Sequence, residues 1–273
     1  MPAAVCKGVN GSLKLGFWLF LATGATACAE LKPETLKAWN HYLLAVDARM
    51  KARLEPNRSF LWIDEDAQRL RQIRSGGIEV APVGPGLQSV HHGLIHDWIG
   101  GAFIAGVSIE EVLATVRNYQ MYPEFFKPTV VTAKGLAWAE NHDVFSMRWM
   151  QRVLFLSAGL DGQYESYYHR LDSTHLYNVT YSTRLQEITN YGAANERMLA
   201  PDQGPGFVWR VYSVTRCQQR DGGVYLEIEG VVLSRDIPFA MRWFIKPIVD
   251  ELSRRSLITT LGQTRQAVHV RVP

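Results

Sequence analysis

Apolar positions recur at three- and four-residue steps in three places. Leu36, Trp39, Leu43, Val46 and Met50 do so within Pro33 to Leu54, and Pro33 suits a first helical turn. This segment is predicted as an amphipathic helix packed on the body of the protein. Ser108-Ile-Glu-Glu111 has the spacing of a capping box, and Ile109, Val112, Leu113 and Val116 form a stripe behind it. Tyr122-Pro123 and Lys127-Pro128 end that helix. A last helix, about Ser253 to Val268, carries Leu257, Leu261, Thr264 and Val268 on one face.

Between these helices the pattern changes to stretches rich in β-branched and aromatic residues. Thr129 to Glu140, Val144 to Ser157, Gln163 to Arg170, His175 to Ile188, Phe207 to Cys217 and Val224 to Arg235 read as six strands. Asn141-His-Asp143, Asp161-Gly162, Asp172-Ser173 and Asp221-Gly222-Gly223 separate them, and such short links suit antiparallel hairpins. Upstream, Asn57 to Ile63 reads as a short strand. Gly76-Gly77 and Ala81 to Gly86 read as turns, and Leu87 to Val107 as two strands with Gly100-Gly101 between or within them.

The predicted order is helix, a few strands, short helix, six strands, long helix. The implied fold is α+β: a curved antiparallel sheet whose apolar face is covered by the C-terminal helix. A gap between sheet and helix is a candidate ligand cavity. There is no internal repeat, no low-complexity tract and no long linker.

The N-terminus has its own signal. Residues 1–29 carry Lys7 and Lys14 and no acid, an apolar run from Leu15 to Ala22, and A-x-A sites at Ala25-Thr-Ala27 and Ala27-Cys-Ala29. This reads as a secretory leader, so the protein is expected to be exported, periplasmic or secreted. Lipid attachment at Cys28 is the lesser alternative, because Ala25 stands where a lipobox usually has leucine. Removal of the leader would take two of the three cysteines and most of the +3 formal charge. A nearly neutral chain without a basic stripe excludes nucleic acid as a partner. The remaining cysteine, Cys217, reads as a buried small hydrophobe.

No catalytic motif is legible: no G-x-S-x-G, no H-E-x-x-H, no P-loop, no cysteine pair for zinc. No metal or cofactor is expected. His91 and His96 fall on opposite sides of a strand, so His91, His92 and His96 read as surface or turn residues. Arg184 and Glu187 fall on opposite sides of a regular strand, and Arg210 and Tyr212 share a side. Glu227 and Glu229 share a side with Tyr225, Val231 and Arg235. A carboxylate–guanidinium ladder between strands is one reading. The other places Arg184, Arg210 or Arg235 in the cavity, where a guanidinium could bind a carboxylate or phosphate headgroup.

Several stretches resemble the START-like (SRPBCC) superfamily. They are Phe103 to Val107, Tyr119 to Pro123, Ser182 to Glu187, Gly206 to Arg210, Asp221 to Glu227, Leu233 to Pro238 and Thr264-Arg265. The resemblance spans about Val90 to Val268. One departure is Ser253, where a proline would be expected before the last helix. The resemblance implies a helix-grip domain over residues 87–270, after a leader (1–29) and an N-terminal extension (30–86). It implies that a hydrophobic or amphipathic small molecule such as a lipid is bound in an internal cavity, with transient membrane contact. The expected binding residues are Phe103, Tyr122, Trp149, Arg184, Glu187, Trp209, Arg210, Tyr212, Arg235, Trp243, Leu257 and Leu261. The resemblance also leaves two alternatives. One is a cyclase or hydrolase using Glu187, Arg184 and Tyr212, and the other is a partner-binding module without catalysis.

Overall fold

A computed structural model describes residues 29–153, 156–237 and 242–270. Residues 1–28 of the leader expected at the N-terminus lie outside the described residues. In chain order the elements are α1 (Pro33–Ala52), α2 (Ala67–Arg74), β1 (Ile78–Val90), β2 (Gly93–Ala105), α3 (Ile109–Val116), β3 (Val130–Trp138) and β4 (His142–Val153). There follow β5 (Leu156–Arg170), β6 (His175–Thr189), β7 (Arg210–Arg220), β8 (Gly223–Arg235) and α4 (Arg242–His269). Short helical turns lie at Trp62–Glu65, Tyr119–Met121 and Tyr122–Phe125.

The strands form one antiparallel sheet in the order β1-β2-β8-β7-β6-β5-β4-β3, with the two-residue strand Arg197–Met198 added beside β6. After β2 the chain crosses through α3 to the far edge. It then returns strand by strand until β8 lies against β2. The β7–β8 hairpin shows why the register is firm. Asp221 (φ 56°) and Gly222 (φ 77°) both sit in the left-handed region, as a primed two-residue turn requires. That turn pairs Arg220 with Gly223 and so every position back to Arg210 and Leu233.

Alternation gives the sheet two different faces. On the inner face Trp98, Ala102, Ile104, Cys217, Val224 and Leu226 pack with Val112 of α3 and with Leu257 and Leu261 of α4. On the outer face Ile95, Tyr212, Val214, Val231 and Leu233 pack with Trp39, Val46 and Met50 of α1. Leu61, Ile63 and Ile73 continue that outer layer over Tyr225. The N-terminal helix and the C-terminal helix thus cover opposite sides of the same strands.

Local expectations differ from the structure at four places. Asn57 to Ile63 forms no strand; Ile63 lies in the helical turn, and its amide donates to Glu227 Oε2 (3.0 Å) instead of to a neighbouring strand. Ala81 to Gly86 is not a turn but the irregular middle of β1, where the register shifts between Pro82 and Leu87. The strand runs across residue 86, so the N-terminal extension is continuous with the sheet. Asp161-Gly162 is not a turn either; both residues pair on each side within β5. Finally, α4 starts at Arg242 and contains Pro247, well before Ser253. The capping box is observed in full: Ser108 Oγ accepts from the Glu111 amide, and Glu111 Oε2 accepts from the Ser108 amide.

Candidate functional site

Two glycines on the inner face show how the space under α4 varies. A Cβ at Gly100 would meet Leu261 Cδ1 at 3.0 Å and Val80 Cγ2 at 2.7 Å, so helix and sheet are in tight contact there. Among the described residues, a Cβ at Gly230 would meet no atom within 4 Å. Gly230 pairs with Trp98 on one side and Ser213 on the other, which places it on the inner face of a central strand. Around it Val211, Ser213 and Ile228 are only half-buried, as are Met147 and Trp149 further across the sheet. Among the described residues, the interior is filled at the Gly100 end and open at the Gly230 end.

The far wall of this space is aromatic. Tyr119, Phe145, Tyr164 and Leu185 are buried together, with Tyr122, Met147, Val208 and Val211 against them. Phe145 stacks on Tyr119 at 4.3 Å between centroids and on Tyr164 at 5.1 Å. Trp149 Nε1 donates to the Tyr164 hydroxyl (2.9 Å). A buried carboxylate fixes this wall. Asp143, wholly out of solvent, accepts from Arg117 Nε (2.9 Å) and Nη2 (2.5 Å) and from the Tyr119 hydroxyl (2.9 Å). Such a two-pronged pair is among the stronger charge-assisted contacts. It ties the segment after α3 to β4.

The expected binding residues do not converge. Trp149, Tyr122, Leu257 and Leu261 border the inner space. Glu187 points inward near one end, but its carboxylate accepts from the amides of Gly206 (3.2 Å), Phe207 (2.6 Å) and Val208 (3.3 Å). Burial raises its pKa and those amides pull it back, so it anchors the loop before β7. Phe103, Trp209 and Tyr212 belong to the outer layer: Phe103 lies 4.7 Å from Tyr225, and Tyr212 donates to Asp47 of α1 (2.5 Å). Arg184 is exposed and pairs with Asp161 and Gln186. Arg210 grips Asp202, Arg235 is exposed at the strand end, and Trp243 is 80% exposed on the first turn of α4. The arginine-lined headgroup pocket is therefore not formed by Arg184, Arg210 or Arg235. The trio Glu187, Arg184 and Tyr212 is likewise split between the two faces and cannot act as one acid–base set.

Trp209 precedes β7, so the pleat of that strand does not set its direction, and it packs in the outer layer. The glutamates do form a ladder, with partners not anticipated. Arg216, fully buried, lies 3.0 Å from Glu227 and 2.8 Å from Glu229, and Arg49 of α1 bridges Glu229 (2.8 Å) and Asp97 (2.6 Å). Burial raises the Asp97 pKa to about 6 and that of Glu227 to about 7. On the inner face His96 shares a hydrogen bond with Ser234 (2.7 Å between Nε2 and Oγ), and burial lowers its pKa to about 4. Among the described residues no group of three or more His, Cys, Asp or Glu is placed to hold a metal. No described helix is long and apolar enough to cross a membrane.

The β2-β8-β7-β6-β5-β4-β3 order, with α3 and the short turns between β2 and β3 and α4 after β8, decides the architecture. The fold is a helix grip, an antiparallel sheet closed by a long C-terminal helix. Here β1 forms one edge of the sheet, and α1 and α2 cover the outer face. The chain matches no protein-family model and no curated relative. Solved structures similar to it include a STAR-related lipid transfer protein of Xanthomonas axonopodis, at 13% identity and a TM-score of 0.42 over 70% of this chain and 96% of that one. Human StAR-related lipid transfer protein 5 is similar at 12% identity and a TM-score of 0.41 over 76% and 92%. The Zhui aromatase/cyclase of Streptomyces sp. R1128 is similar at 11% and 0.41 over 66% and 96%.

Proposed function

We propose that this protein binds a hydrophobic or amphipathic small molecule, such as a lipid, between the inner sheet face and α4. The observation that carries this is the open space over Gly230, in the middle of a face that is tightly packed at Gly100. A sheet that buries Trp98, Leu226 and Leu261 could close fully, yet leaves Val211, Ile228 and Met147 partly uncovered. A guest there would remove apolar surface from water, gaining about 25 cal/mol per Å². Export through the leader at residues 1–29 and transient contact with a membrane donor belong to the same reading.

The test is native mass spectrometry with lipid extraction from protein purified out of its own host. A reproducible adduct that chloroform–methanol extracts as an apolar compound is the expected result. Protein that carries no apolar molecule, and takes none up from phosphatidylcholine vesicles, overturns the reading. N-terminal sequencing checks export: a mature chain starting after Ala27 or Ala29 is expected, and an intact Met1 end on an intracellular product refutes it.

A further inference from the structure

The polar requirement of the guest can be read from one row of the inner face, if a guest binds there as proposed above. Trp98, Gly230 and Ser213 are successive Cα partners across β2, β8 and β7. Trp98 is 8% exposed, and among the described residues its buried Nε1 has no hydrogen-bond acceptor. An indole N–H can only donate, and native interiors rarely leave such a donor unpaired. Its neighbour in the row is the glycine that faces open space, and beyond that lies the half-buried Ser213. The unused donor thus belongs to the residue paired across from the open position.

We propose that Trp98 Nε1–H is the polar anchor of the site, and that it receives a neutral oxygen acceptor, an ester, ketone or hydroxyl oxygen, of an otherwise apolar guest. The arginines paired among the described residues disfavour an anionic head. Arg117 is committed to Asp143, Arg216 to Glu227 and Glu229 on the other face, and Arg184 and Arg210 to Asp161 and Asp202. His96, two residues from Trp98 on the same face, is held neutral at pH 7 by burial, and the charge that acts against this is the carboxylate of Asp250. Beside Trp98 a buried carboxylate or phosphate would meet a neutral donor and none of these paired arginines, which is too little to offset its lost hydration.

A matched pair of probes decides the matter: cis-parinaric acid and its methyl ester, each titrated by fluorescence at pH 7.5. The ester should bind at least tenfold more tightly than the acid. Trp98→Phe keeps a ring in the core and removes the donor, so it should weaken the ester about fivefold and leave the acid unchanged. Equal or tighter binding of the acid, or unchanged ester affinity in Trp98→Phe, overturns the anchor while leaving guest binding intact. Failure of both probes to bind overturns guest binding and the anchor together. If Trp98→Phe does not fold, the preference of the unaltered protein between acid and ester still decides.

Discussion

Arg216 and Glu227 are Cα partners on β7 and β8, and the Arg216 Nε lies 3.0 Å from Glu227 Oε1 with both side chains wholly out of solvent. The N–H is not directed along that line, so neither atom gains a hydrogen bond; the pair is held by charge. Breaking a buried pair from one side strands the other charge. Arg216→Met is therefore expected to lower unfolding stability by about 3–5 kcal/mol in urea titration. Adding Glu227→Gln to that variant should recover part of the loss. A single-variant loss below about 1 kcal/mol would mean that water reaches these groups.

The same network sets a pH dependence. Native Glu227 titrates near 7 against an ordinary 4.5, so between those values the folded chain holds a proton that the unfolded chain has released. Stability from this group is full below about 4.5 and is lost as pH rises to about 7. His96 acts oppositely: it titrates near 4 when folded against 6.5 otherwise, so its contribution is lost as pH falls from 6.5 to 4. Relative to the unaltered protein, Glu227→Gln should gain melting temperature from pH 5 to 8. His96→Gln should gain it from pH 7 to 4.5. Melting curves that stay parallel across pH would contradict both assignments.

Arg184 and Arg210 lie away from the inner space. Replacing either with Met should leave uptake of a fluorescent lipid unchanged. For exposed Arg184 the stability cost should stay within about 1 kcal/mol, as for surface ion pairs generally. A tenfold drop in uptake for either variant would put a headgroup contact where none is seen.

Glycine replacements separate the open end of the interior from the closed one. Gly230→Val adds a β-favouring side chain into open space, so melting should hold while lipid uptake falls several-fold. Gly100→Val forces atoms against Leu261, Val80 and the Glu79 carbonyl and should cost about 1–3 kcal/mol. Equal melting losses in the two variants would show that the space over Gly230 is not open in solution.

Strand content, the capping box and the inward stripe of α4 were legible because they depend on local periodicity. Leu257 and Leu261 lie where that stripe predicts. Arg216 was legible in principle: the primed turn at Asp221-Gly222 fixes Arg216 opposite Glu227 by counting back along the hairpin. What alternation cannot supply is which helix covers which side. Glu227 and Glu229 alternate with apolar residues exactly as solvent-facing residues would. They are buried only because α1 and the Trp62–Glu65 turn dock over them, and that docking has no local signature. Phe103, Trp209 and Tyr212 lie in the outer layer for the same reason: an aromatic residue fits any covered surface, and the pattern does not name the cover.

Asp97 and its neighbours His96 and Trp98 are adjacent in sequence but look in opposite directions, one toward Arg49 of α1 and the others toward α4. The floor beneath any guest is thus bolted from behind by charges that cannot part without drawing water between them. A plate so fastened does not breathe. Loading and unloading would therefore fall to α4 and the segment after α3. A disulfide stapling α4 to β1 should then slow exchange of a guest far more than one stapling α1 to β8.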